Sequence, residues 1–185
     1  MSRLPLPVYE ELTPEQQNAF RMIAGQRDGV VNGPFPAWIR MPALCKEIQD
    51  VSDILRTNTT LKKTVFEMLT LIVARAFNSG YMWGAHAGFA VELGLPQAVI
   101  DDINTGRRPM LEDPEDQLIF DVAYEIAAGR PVPIDIYTKA VEILGYERLT
   151  EVATDVGFYL MIACVSNTYD VQPTSGALPL APHQA

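Results

Sequence analysis

The stretch "TVFEMLTLIVARAFNSGYMWGAHAGFAVELGLP", Thr64 to Pro96, decides how the rest of the chain is read. Its first half is apolar on most sides, which predicts a buried central helix over roughly Leu61–Asn78. Ser79-Gly80 breaks or kinks that helix. A second core helix is expected from about Tyr81 to Leu93, stopped by Gly94 and then Pro96. Two polar residues interrupt this apolar pair. Glu67 sits among Val65, Phe66, Met68, Leu69, Leu71 and Ile72. His86 shares a helical face with Met82, Trp83, Phe89 and Ala90, at i−4, i−3, i+3 and i+4.

Both have an ordinary reading. A buried carboxylate is costly unless it is paired or hydrogen-bonded, so Glu67 either reaches solvent at the helix edge or pairs with Arg75 or Arg40. A lone histidine on an apolar face is more often a satisfied core residue than a catalytic one, and Trp83 and Tyr81 read first as core aromatics. The functional reading rests on the pair. Two helices joined by a short kink can lie antiparallel, and Glu67 and His86 then face one cavity. A carboxylate that orients an imidazole or exchanges protons with it is a general acid–base device. Burial raises a carboxyl pKa and lowers an imidazole pKa, moving such groups towards neutral pH.

Outward from this core, helical signals continue in both directions. "LTPEQQNAFRMIAG" offers Thr13 as N-cap, Pro14 at the first helical position and Gln16 to complete a capping box, with an end at Gly25. Asn32-Gly33-Pro34 marks a turn within the loop "RDGVVNGPFPAWIR". Pro42 opens a helix whose apolar residues Leu44, Ile48, Val51 and Leu55 fall at helical spacing. "PQAVIDDINTG" is a short helix with Gly106 as C-cap candidate. Asp113 caps a further helix with Pro114 at its first position. "PIDIYTKAVEILG" and "YERLTEVATDVGFYLMIACVSNTYDV" supply two more. No alternating strand stands out. The expected organisation is one all-α domain over residues 1–171 and a Pro-rich tail over 172–185, extended or mobile.

The totals narrow the function. The chain has 185 residues, 48 % of them hydrophobic and 20 % charged, enough for one domain with a real core. Its net charge is −9 and its pI about 4.6, so no nucleic-acid partner is expected, because phosphate binding needs clustered Lys and Arg. Cys45 and Cys164 read as two buried, reduced thiols. The N-terminal "MSRLPLPVYEEL" has no apolar signal region. The nearly apolar run Phe66 to Phe77 is too short to span a bilayer. A soluble, cytoplasmic protein without membrane partners is expected. One His and one Glu are too few for a metal site, and no Gly-rich phosphate loop or nucleophile elbow surrounds Ser79.

"FEMLTLIVARAFNSGYMWGAHAGFAVELGLPQAVIDDI" resembles the carboxymuconolactone decarboxylase and alkylhydroperoxidase (AhpD-like) superfamily. "LTPEQQNAFRMI", "VNGPFPAWIRMPAL", "EDQLIFDVAYEI" and "GFYLMIACVSNTYDV" resemble the flanking segments of its larger members, so the likeness covers roughly Leu12 to Val171. The peroxidase branch carries a Glu, eleven residues, Cys-x-x-Cys, three residues and a His. Glu67 and His86 fall on the outer positions of that pattern, and Ser79 and Met82 on its cysteine positions. Peroxide reduction by that branch needs an attacking thiolate and a resolving thiol, so the resemblance implies the cysteine-free branch instead.

That branch implies an oligomeric AhpD-like helical bundle, a homodimer, trimer or hexamer. It implies a lyase of aromatic catabolism that needs no cofactor and removes CO2 from a small carboxylated lactone. Loss of CO2 beside an unsaturated lactone leaves a dienolate whose charge must be stabilised and whose carbon must be protonated. By this resemblance His86 is the proton donor or the facing cation, Glu67 orients it, and Tyr81 donates a hydrogen bond. Trp83, with Ser79 and Met82, walls the pocket, and Asn32, Phe35 and Trp38 supply its opposite rim. The Tyr81-Met82-Trp83-Gly84-Ala85-His86 arrangement departs from the namesake decarboxylase. The resemblance therefore implies only a substrate class, a small carboxylated lactone or a related carbonyl compound, and leaves open a different small-molecule lyase, isomerase or hydrolase. The rival reading is a non-catalytic member that binds a small apolar ligand or serves as a scaffold.

Overall fold

A computed structural model describes residues 2–182; His183, in the expected tail, lies outside them. Within the described residues all regular structure is helical, as expected: α1 (Pro14–Gly25), α2 (Phe35–Trp38), α3 (Pro42–Thr57), α4 (Lys63–Ala76), α5 (Gly80–Glu92), α6 (Gln97–Asn104), α7 (Pro114–Ala127) and α8 (Ile134–Thr168). A 3-10 turn at Tyr9–Glu11 precedes them. At Gly145 the φ of 70° and ψ of 172° interrupt α8, so it is two helices joined at a kink, which matches the two expected there.

The helix starts follow local chemistry. The Thr13 hydroxyl accepts from the Gln16 amide and the Gln16 side chain accepts from the Thr13 amide, which completes the expected capping box. Asp113 accepts from the Glu115 amide at the start of α7. The break between α4 and α5 falls one residue earlier than Ser79-Gly80. Asn78 takes the left-handed turn, with φ of 49°, a conformation that asparagine tolerates better than most residues. The four-residue α2 was not visible in the sequence, because "FPAW" is too short to show a period.

The chain forms two compact units, one built from residues up to Thr59 with Val165–Gln172, the other from Thr60–Cys164 with the residues from Pro173 on. In the first, α3 packs on α1 and α2. Its buried face is Cys45, Ile48, Gln49, Ser52 and Leu55. That corrects the expected stripe: Leu44 is 42 % and Val51 40 % exposed. At about 100° per residue, the buried face is centred further round the helix than the apolar letters suggest. Gln49 fits inside by donating to Asp53 at 2.8 Å.

In the second unit, α4 is the central element. Ten consecutive residues, Val65 to Ala74, are buried, and α5, α6 and α7 all pack against it. Each fully buried aliphatic side chain there stabilises by roughly 1.5–3 kcal/mol. This is where an all-round apolar helix belongs. Met82, Trp83, Ala87 and Ala90 form the inner face of α5. Phe89 is not among them: it is 58 % exposed, on the outer edge of the stripe expected to include it.

Two further expectations change. Cys45 is buried but Cys164 is exposed, because it lies beside, not within, the α8 face that buries Val152, Val156, Tyr159 and Ala163. The tail has no regular structure, yet it is held. Asn104 Nδ2 donates to the Pro179 carbonyl (3.3 Å), its Oδ1 accepts from the Ala181 amide (2.8 Å), and Arg75 Nη1 donates to the Ala181 carbonyl (2.8 Å). Pro173 and Ala177 press on α5 at Gly84, where any Cβ would lie 2.9 Å from the Cβ of each. By length and composition α8 is also apolar enough to cross a membrane, a test that the core helix of a soluble protein passes equally.

Candidate functional site

α4 and α5 are joined by three residues, Phe77 to Ser79, and pack along each other. Glu67 on the first and His86 on the second are thereby brought together. His86 Nδ1 lies 2.7 Å from Glu67 Oε2, with only 13 % and 9 % of the two side chains exposed. This settles how a carboxylate is accommodated in an apolar helix. Glu67 does not escape to solvent and does not use either arginine considered for it. Arg75 donates to the carbonyls of Asn104 and Ala181, and Arg40 to those of Pro36 and Pro5.

A carboxylate at Nδ1 fixes the imidazole. Whichever partner holds the shared proton, the contact occupies Nδ1 and leaves Nε2 as the nitrogen that can take or give one. A third group frames the pair. The Tyr159 ring meets the His86 ring edge-to-face at 5.5 Å between centroids, and also meets Phe66 at 5.6 Å and Phe158 at 5.6 Å. Tyr159 is 2 % exposed. Sequence reading missed it, since it stands 73 positions after His86 inside an apolar helix. Its only signal there is an aromatic pair, Phe158-Tyr159, like many others.

The remaining expected residues divide. Ser79, Met82 and Trp83 are buried on the inner side of α5. The Ser79 Oγ and Trp83 Nε1 atoms are enclosed without a hydrogen-bond partner among the described residues. Buried polar groups are nearly always satisfied, so two such atoms one helical turn apart are notable. Tyr81 is half-buried and stands five positions before His86, about 140° round the helix, away from the imidazole's face. In the other unit, Phe35 and Trp38 are buried and pack edge-to-face at 5.3 Å, with Arg27 over Phe35 at 4.1 Å. Asn32 is exposed, and its carbonyl accepts from the Phe35 amide at 3.3 Å.

With this geometry in view, comparison with known proteins speaks to the fold. The fold is AhpD-like. An alkylhydroperoxidase AhpD-core structure, an uncharacterized peroxidase-related protein from Ralstonia eutropha JMP134, superposes with a TM-score of 0.75 at 19 % identity. The likeness covers 96 % of this chain and 97 % of that one. An uncharacterized peroxidase-related protein from Silicibacter sp. TM1040 superposes equally well, with a TM-score of 0.75 at 19 % identity over 95 % of this chain and 93 % of that one. No family model and no curated protein sequence matches the chain.

Proposed function

We propose that this protein is a cofactor-independent, carboxymuconolactone-decarboxylase-like enzyme of the AhpD-like superfamily. It acts on a small carboxylated lactone or related carbonyl compound by acid–base chemistry at Glu67 and His86. The observation that carries the reading is the 2.7 Å contact between two largely buried, oppositely ionisable side chains. Burying a carboxylate and an imidazole together is costly unless each compensates the other, and buried ionisable pairs of this kind cluster at functional sites.

In this reading Glu67 holds His86 through Nδ1, and Nε2 carries the reacting proton. The bond between the substrate's ring carbon and its carboxylate breaks. The electron pair passes into the unsaturated lactone as a dienolate, and CO2 leaves. The imidazolium faces the developing charge, then delivers its Nε2 proton to carbon and returns to the neutral form; solvent restores the proton. The partnerless Ser79 and Trp83 donors are the groups assigned to the lactone oxygens, beside the hydrogen bond that the resemblance implies for Tyr81. Tyr159 walls the imidazole.

Peroxide reduction is disfavoured, because Ser79 and Met82 occupy the thiol positions and neither cysteine is in the motif. The peroxidase-related neighbours keep that chemistry as an arm of the test. A homo-oligomer, cytoplasmic and soluble, completes the proposal; exposed Met41, Leu44, Val51 and Ile54 on and beside α3 are apolar surface that assembly would cover.

The test is CO2 release from γ-carboxymuconolactone and related acidic lactones, beside consumption of an alkyl hydroperoxide with dithiothreitol. Release should fall by roughly 10²-fold or more in His86→Ala and in Glu67→Gln, assayed at a temperature where circular dichroism shows both variants folded, because removing one partner of a buried pair also lowers the melting temperature. Equal loss of folding and activity would make the pair structural. Hydroperoxide consumption without CO2 release would overturn the lyase reading.

A further inference from the structure

The second unit contains a cavity of about 630 Å³ that includes neither Glu67 nor His86. It lies at the C-terminal end of α4, beyond the pair. Its walls are apolar and aromatic, chiefly Ile72, Phe77, Ile103, Phe120 and Tyr124, and its charged groups are Arg75 and Arg107. The last described tail residue, Pro182, closes one side. This size and lining are those of small-molecule sites.

The charge there is unusual. The protein is net −9, yet no carboxylate lines this cavity. Arg107 is offset by Asp102, 2.8 Å away. Arg75 is not offset: no carboxylate lies within ion-pair distance of it among the described residues. Its hydrogen bonds to protein run through Nη1 to the main-chain carbonyls of Asn104 and Ala181. Nε and Nη2 remain as a donor pair on a half-buried guanidinium. Three helices end at this rim, and their carbonyl ends alone would disfavour an anion. Those ends are largely satisfied: Arg75 takes the Asn104 carbonyl, and the Gly106 and Gly129 amides return to Ile103 and Ile126 at 3.0 and 2.9 Å.

We infer that this cavity is a second binding site, for an amphipathic carboxylate whose apolar or aromatic body fills the cavity and whose carboxylate meets Arg75. A planar guanidinium with two free N–H groups on one edge matches a carboxylate in bidentate fashion. Because Arg75 also holds the tail at Ala181, occupancy and tail docking share one residue. The site stands apart from the Glu67–His86 pair and does not depend on the activity proposed for it.

The experiment is calorimetric titration of the full chain with 4-phenylbutanoate and, as the uncharged isostere, 4-phenylbutanamide. The carboxylate should bind more tightly than the amide. Arg75→Gln should weaken the carboxylate by roughly tenfold or more and the amide by much less, the loss of the Ala181 contact touching both ligands alike. Ala128→Phe, at an exposed lining position, should block both. Glu67→Gln and His86→Ala should bind as the native chain does, which separates this site from the proposed catalytic one. Absence of binding, equal affinity for acid and amide, or loss in His86→Ala would each overturn the inference. Should Arg75→Gln fail to fold, Arg75→Lys, which keeps the charge but not the planar fork, must bind the carboxylate more weakly than the native chain and still more tightly than the amide, and Ala128→Phe must lose both.

Discussion

Glu67 and His86 explain each other. Each alone is an anomaly in an apolar helix, and together they form one hydrogen-bonded contact with little exposure to solvent. The sequence marked both, since polar letters in an apolar run are conspicuous, but it could not choose between Arg75, Arg40 and His86 as Glu67's partner. Distance alone decides that. The two cysteines show the same limit. Both read as buried, and only Cys45 is. Burial pushes its thiol up to about 11, against an opposing pull from the Arg27 charge. The thiolate is the reactive form, so iodoacetamide at neutral pH should label Cys164 and spare Cys45, as read by peptide mass spectrometry. The sign for stability follows: a folded pKa raised above the ordinary 9.0 gives a contribution present below pH 9.0 and lost as pH climbs to about 11. Rapid neutral-pH labelling of Cys45 in the folded chain would contradict its burial.

At the scale of elements, the core helices were legible from their apolar runs and α1 and α7 from the side-chain caps at their starts. Thr13-Pro14-Gln16 and Asp113-Pro114 fixed α1 and α7 to the residue. What failed was orientation. On α3 and α5 the apolar letters suggested faces that include Val51 and Phe89, and packing turned both outward. The tail was the larger surprise. Pro-rich sequence without a period offers no sign of docking, and the signal lay elsewhere, in Gly84. That glycine lets Pro173 and Ala177 approach α5 more closely than any side chain would allow. Gly84→Ala should therefore loosen the strap. Hydrogen–deuterium exchange at the Ala181 amide, bonded to Asn104 in the native chain, should speed up while the α4 amides stay protected. Unchanged exchange at Ala181 would mean that the strap is held without Gly84.

For the whole molecule, charge is the property that sequence predicts most directly. A net charge of −9 should carry the protein through a heparin column without retention even at low ionic strength, and retention would expose a basic surface that the composition hides. By itself the sequence determined the all-helical class, the starts of α1 and α7, the buried status of α4 and the two residues worth testing. These follow from periodicity, capping and the cost of polar groups among apolar ones, all local properties of the chain. Tertiary structure alone decided that Glu67 meets His86, that Tyr159 stands against the imidazole and that the tail lies on α5. It also decided that Arg75 borders a cavity without a carboxylate. Each of these joins residues far apart in the chain, and the packing that joins them depends on shape and direction, which residue spacing does not encode.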